Sequence, residues 1–112
     1  CQLNIFQYSF SEHDELMSYS LTLPFASSIT FAACLTTKVV PGTTFAHHKE
    51  IARKVLEEDD FLLAEVLFNP HSIRQLEKIC SKLEFLKHII KARDYEEAEK
   101  FLARLRKNLE QQ

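Results

Sequence analysis

The chain has 112 residues, with 14 Lys and Arg against 16 Asp and Glu, for a formal net charge of −2. Hydrophobic residues make up 46%, which excludes a disordered chain and suits one globular domain. One Gly and three Pro exclude a turn-rich β fold, and the near-balanced charge leaves no footprint for nucleic acid or an anionic membrane.

Residues 3–10 alternate loosely, with Phe6, Tyr8 and Phe10 on one side and Leu3 and Ile5 on the other, which predicts a short strand. Ser11, with Asp14 three places on and Glu12 between them, reads as a helix N-cap box. A long helix is predicted from there to about Thr37. Residues 16–37 carry no charge over 22 positions, a length that would cross a bilayer. Eight of the 22 are Ser or Thr, one is Pro, and the apolar residues never run beyond five together. Lipid would leave many of those hydroxyls poorly paired. A helix with no charged side is instead a buried helix of a water-borne protein. So small a domain does not surround it alone, and a second copy of the chain is the expected cover. Pro24 removes a backbone donor, so a kink is predicted near Thr22 and Leu23.

Val39-Val40-Pro41-Gly42-Thr43 reads as a loop. A second helix is predicted from Thr43 or Thr44, carrying Phe45, Ile51, Val55 and Leu56. Asp59 or Asp60 then caps a short third helix with Phe61, Leu62, Val66 and Leu67. Asn69-Pro70 signals a restart, with Asn at the cap and Pro at the first helical position. The fourth helix has an apolar stripe at Ile73, Leu76, Cys80, Leu83, Leu86 and Ile90. Asp94 with Glu97 opens a fifth, striped by Tyr95, Ala98, Leu102, Leu105 and Leu109. The last two pair as an antiparallel hairpin. The predicted fold class is all-α: a long, buried, kinked helix, then a C-terminal hairpin, with a short strand at the start.

Reactive side chains are few. His47 and His48 are neighbours near the start of the second helix; adjacent helical positions point about 100° apart, so a shared metal is the poorer reading and a place at the edge of a cleft the better one. His13-Asp14 reads as cap structure before it reads as a catalytic pair. Cys1, Cys34 and Cys80 share no metal-type spacing and are odd in number, which suggests reduced thiols, with Cys34 and Cys80 acting as small hydrophobes on apolar stripes. Arg104, Arg106 and Lys107 complement the dipole at a helix C-terminus. Glu57-Glu58-Asp59-Asp60 is a solvated junction.

Four segments, in this order, resemble the C-terminal helical dimerisation domain of the prephenate dehydrogenases. Ser11-Glu-His-Asp-Glu-Leu-Met-Ser18 resembles the Glu-His-Asp helix start that follows the last strand of the family's nucleotide-binding domain. Ser20-Leu-Thr-Leu-Pro-Phe-Ala26 is similar to a Leu-Pro-His or Leu-Thr-His segment in the family's long buried helix. Phe45 to Asp59 resembles the helix bearing a substrate-contacting arginine, and Leu62-Leu-Ala-Glu-Val-Leu-Phe-Asn-Pro70 resembles a Leu-Tyr-Ala-Asp-Ile segment.

The resemblance implies a cytoplasmic homodimeric enzyme of tyrosine biosynthesis. It would oxidatively decarboxylate prephenate with NAD or NADP, using a Rossmann domain that lies outside these residues. Residues 1–10 would be the trailing end of that domain, and 11–112 the helical dimerisation and substrate-cleft domain. No Gly-rich phosphate loop is present, so the resemblance places no catalytic or cofactor-binding residue here, and these 112 residues alone are expected to be inactive. Phe25 and Ala46 stand where the family has a histidine and, in many members, a carboxylate-holding arginine. Lys49, three places on from Ala46, is then the expected replacement cation, with His47 and His48 beside it as further substrate contacts. The competing readings are a stand-alone all-α enzyme of the chorismate-mutase type and a non-catalytic helical adaptor. The former would need several inward-facing Arg and Lys on facing helices.

Overall fold

The computed structural model describes residues 10–112, and among them every regular element is helical. The fold is all-α. The strand expected over residues 3–10 lies outside the described residues, apart from Phe10, which is already helical. Helix α1 (Phe10–Met17) runs through a π-helical turn (Ser18–Thr22) directly into α2 (Leu23–Ala33). Next come α3 (Thr43–Leu56), α4 (Asp60–Leu67), α5 (Ser72–Ala92) and α6 (Tyr95–Glu110). No helix among the described residues is long and apolar enough to cross a membrane.

The break in regular α-helix falls just before Pro24. Pro24 is the second residue of α2, and the π turn ends two positions before it. A proline cannot donate to the carbonyl four residues back, and widening the preceding turn is one way a helix absorbs that gap. Ser20 donates its hydroxyl to the Met17 carbonyl at 3.4 Å and Ser27 donates to Leu23 at 3.0 Å, so two of the hydroxyls are satisfied on the helix itself.

Two expected boundaries move. Helical backbone is present from Phe10, one residue before the expected start at Ser11. At the other end α2 stops at Ala33 rather than near Thr37. The last turn tightens there, with the Leu35 N–H donating to the Ala32 carbonyl at 3.2 Å, and beyond it the Thr36 hydroxyl accepts the Lys38 N–H at 3.3 Å.

The later caps follow the chain's polar residues. The Asp59 carboxylate accepts the Phe61 N–H at 3.0 Å and opens α4. Asp94 accepts from Glu96 and Glu97 at 3.0 and 3.2 Å and opens α6. Asn69 caps a turn and not the helix proper: its side-chain oxygen accepts the His71 N–H at 2.9 Å, and α5 begins at Ser72. Its amide nitrogen donates to the Asp14 carbonyl at 3.0 Å and ties that turn to α1.

The chain divides into two compact units, with the boundary inside α5 between Glu77 and Lys78. In the first unit α2 packs on α3, and α4 packs on the π turn. Its buried side chains are mostly small and polar. Among the described residues Ser18, Thr22, Ser28, Ser72 and Gln75 are buried, against only Ala26, Ala52 and Leu63 of the hydrophobic ones. The Thr22 and Ser72 hydroxyls lie 3.0 Å apart and 3.4 and 3.0 Å from the Val66 carbonyl; with one proton each, one donates to the carbonyl and the other to its neighbouring hydroxyl. That carbonyl belongs to the last turn of α4, where orphan acceptors gather. Small side chains let the π turn, α4 and the head of α5 approach closely; the Thr22 and Ser72 hydroxyls satisfy the Val66 carbonyl there, while the Ser18 hydroxyl is buried without a hydrogen-bond partner. Thus the uncharged run buries Ser18, Thr22 and Ser28, while Leu16, Tyr19 and Leu23 stay exposed on the single chain.

The second unit is the α5–α6 hairpin. Phe85 meets Phe101 edge-to-face at 5.1 Å, the Arg104 guanidinium lies 6.0 and 5.8 Å from those two rings, and His88 lies 3.4 Å from Glu97. Arg93, between the helices, takes a left-handed φ of 55°, the conformation that commonly ends a helix. No side chain of α6 is buried, and the apolar stripes of both helices lie open.

Candidate functional site

The three candidate substrate-contacting residues, His47, His48 and Lys49, lie in the second turn of α3. What orients them is the buried face of that helix. Ala52 is buried against the body of the first unit. Phe45, His48 and Lys49 precede it by seven, four and three positions, so at 100° per residue they share its side of the helix. His47, five positions before Ala52, turns away from that side.

The aromatic contacts agree with this geometry. The Phe31 ring of α2 lies 5.6 Å from Phe45 and 6.1 Å from His48. His47 reaches only its neighbour, with the two imidazoles 6.3 Å apart and nearly perpendicular. The structure therefore brings His48 and Lys49 to one side of α3 and separates His47 from them. All three side chains are exposed. Among the described residues no group of three His, Cys, Asp or Glu side chains is placed to hold a metal ion.

Beneath this corner is a pocket of about 190 Å³, lined by Phe31, Cys34, Thr36, Lys38, Val40 and Phe45 among others. Its walls come from the end of α2, the connecting loop and the start of α3. Gly42 makes that corner possible. Its φ of 129° is one that L side chains rarely adopt, and it stands as the residue before α3. Having no side chain, it leaves the first amide groups of α3 without a side-chain cap. An uncapped helix start carries partial positive charge and free donors, which favour a carboxylate or phosphate. Lys49 and Lys38 add full positive charge nearby in sequence.

Phe31 and Lys38 are the residues that sequence reading missed. Phe31 sat unremarked inside the uncharged run, and only the packing of α2 on α3 brings it to His48. Cys34 and Cys80, expected as small hydrophobes within apolar stripes, are free and exposed in the chain. His13 is exposed, and the Asp14 contribution is its backbone carbonyl, which receives Asn69.

No family model, curated protein or solved structure matches the chain.

Proposed function

We propose that this chain is the helical dimerisation and substrate-cleft domain of a cytoplasmic prephenate dehydrogenase. In that reading a nucleotide-binding domain of the same enzyme supplies NAD or NADP and the catalytic residues. The helical domain supplies one wall of the cleft and the contact with a second copy. The observation that carries the reading is the start of α3: an uncapped helix N-terminus, with His48 and Lys49 on its inner side and the Phe31 ring against His48. Prephenate carries two carboxylates on an unsaturated ring, and such a corner offers donors and positive charge for the one and an aromatic wall for the other. The order of the four family-like segments supports the same reading. The open apolar side chains of the single chain support a partner.

The test is made on the enzyme that joins this domain to its nucleotide-binding half. Prephenate-dependent reduction of NAD or NADP is expected, and its absence with both cofactors and both prephenate and arogenate would sink the proposal. Lys49→Ala in that enzyme is expected to raise KM for prephenate by roughly 10- to 150-fold, the worth of one charge-assisted contact, with kcat little changed. An unchanged KM removes Lys49 from the site.

A further inference from the structure

Helix α6 carries the most regular apolar stripe of the chain. Tyr95, Ala98, Leu102, Leu105 and Leu109 are spaced three, four, three and four apart, which is the heptad pattern of a helix that packs on another helix along a narrow seam. That seam is not directed at α5. The ring and charge contacts with α5 are made by Phe101, Arg104 and Glu97, through Phe85 and His88, and of the stripe Leu105 borders α5 at its edge, across a shallow pocket shared with Ser81 and Phe85. One step past each contact residue turns the chain to the same face of an antiparallel hairpin, so Leu86 after Phe85 and Leu102 after Phe101 lie on one side. Leu86, Leu102, Leu105 and Leu109 are 40% to 76% exposed there. Together they offer roughly 350 Å² of apolar surface, within the range of the largest patch a monomer shows.

The rim of the stripe identifies what fits on it. The edge away from α5 holds the residues one place after the second apolar position of each heptad, Glu99 and Arg106. They have opposite charge, are seven positions apart, are both exposed, and make no ion pair among the described residues. A second α6 laid antiparallel across the first, with Leu102 of each against Leu105 of the other, sets Glu99 beside Arg106 of the other copy, twice by symmetry. A parallel arrangement would pair this edge with the one holding Phe101 and Asn108, which has no charge to offer. The surface is thus complementary to itself in one orientation, as a two-fold interface requires.

We infer that α6 is a docking surface for α6 of a second copy of this chain, antiparallel, so that two hairpins assemble into a four-helix bundle. Two patches of this size, with their flanking side chains, would bury about 1,000 Å² or more, enough to enter the range of specific interfaces. The inference rests on the dimer in the reading above and is independent of its substrate.

Charge exchange in the 112-residue chain tests it, with sedimentation equilibrium as readout and circular dichroism to show that each variant keeps its helices. Arg106→Glu and Glu99→Arg each turn two attractive pairs into two repulsive ones. Each is expected to weaken the dimer by about tenfold at low ionic strength and less at high salt. The double variant Glu99→Arg/Arg106→Glu restores the pairing in exchanged form, and its dissociation constant is expected within about threefold of the parent's. Leu102→Asp is expected to leave a helical monomer. A dimer that none of these variants weakens overturns the α6 contact and leaves dimerisation standing. A parent chain that stays monomeric at 100 times the micromolar range overturns both. A dimer weakened equally by the single and double variants overturns the antiparallel register.

Discussion

Gly42 shows how much one position can decide. The chain has a single glycine, and it stands where the backbone enters α3 at φ 129°. No atom lies within 4 Å of where a Cβ would be, so a substitution there meets conformational strain and no clash. Gly42→Ala is therefore expected to cost about 1–3 kcal/mol, read as a lower midpoint in thermal or denaturant unfolding. An unchanged midpoint would mean that the loop relaxes without penalty. Asp59 and Asp94 show the opposite case, in which the side chain does the work: each carboxylate accepts the N–H groups of its own first helical turn. All three residues could be read from the sequence, because a cap or a strained turn depends on partners no more than a few residues away.

The long helix is held by contacts that no local pattern announces. Thr22 bonds to Ser72, 50 residues on, and to the carbonyl of Val66, 44 residues on. Valine has nearly the shape of threonine without its hydroxyl, so Thr22→Val isolates this bond. It is expected to cost about 1–3 kcal/mol, because the Ser72 hydroxyl loses a partner in a buried place. Loss of less than a few tenths would show that water replaces Thr22 there. The π turn at Ser18–Thr22 belongs to the same region, and Pro24 accounts for its position. Here the sequence pointed to the right place with an incomplete reason. The break in regular α-helix was legible from Pro24, but the early end of α2 was not, since no residue among 34–37 is a helix breaker by itself.

The molecule as a whole is marked by what it leaves uncovered. Nearly half of its residues are hydrophobic, yet only Ala26, Ala52 and Leu63 are buried among the described hydrophobic side chains. Burying a large aliphatic side chain contributes about 1.5–3 kcal/mol, so the exposed leucines of α5 and α6 alone are a strong drive to associate. Light scattering on the chain is expected to report twice 13.1 kDa, and a clean monomer at micromolar concentration would count against it. The candidate site was legible in part for the same reason. His48 and Lys49 could be placed on one helix by spacing, but their separation from His47 and the approach of Phe31 depend on which face of α3 meets α2.

Helix order, the Pro-Gly loop, two of the caps and the hairpin turn were all readable from residues in a row, because short-range hydrogen bonding and 3.6-residue periodicity specify them. The uncharged run was equally visible, but its meaning changed on folding: the chain buries Ser18, Thr22 and Ser28 and turns several large apolar side chains outward. That outcome required the close approach of helices distant in sequence. A small residue becomes a contact only when another backbone comes near enough to use the space it leaves.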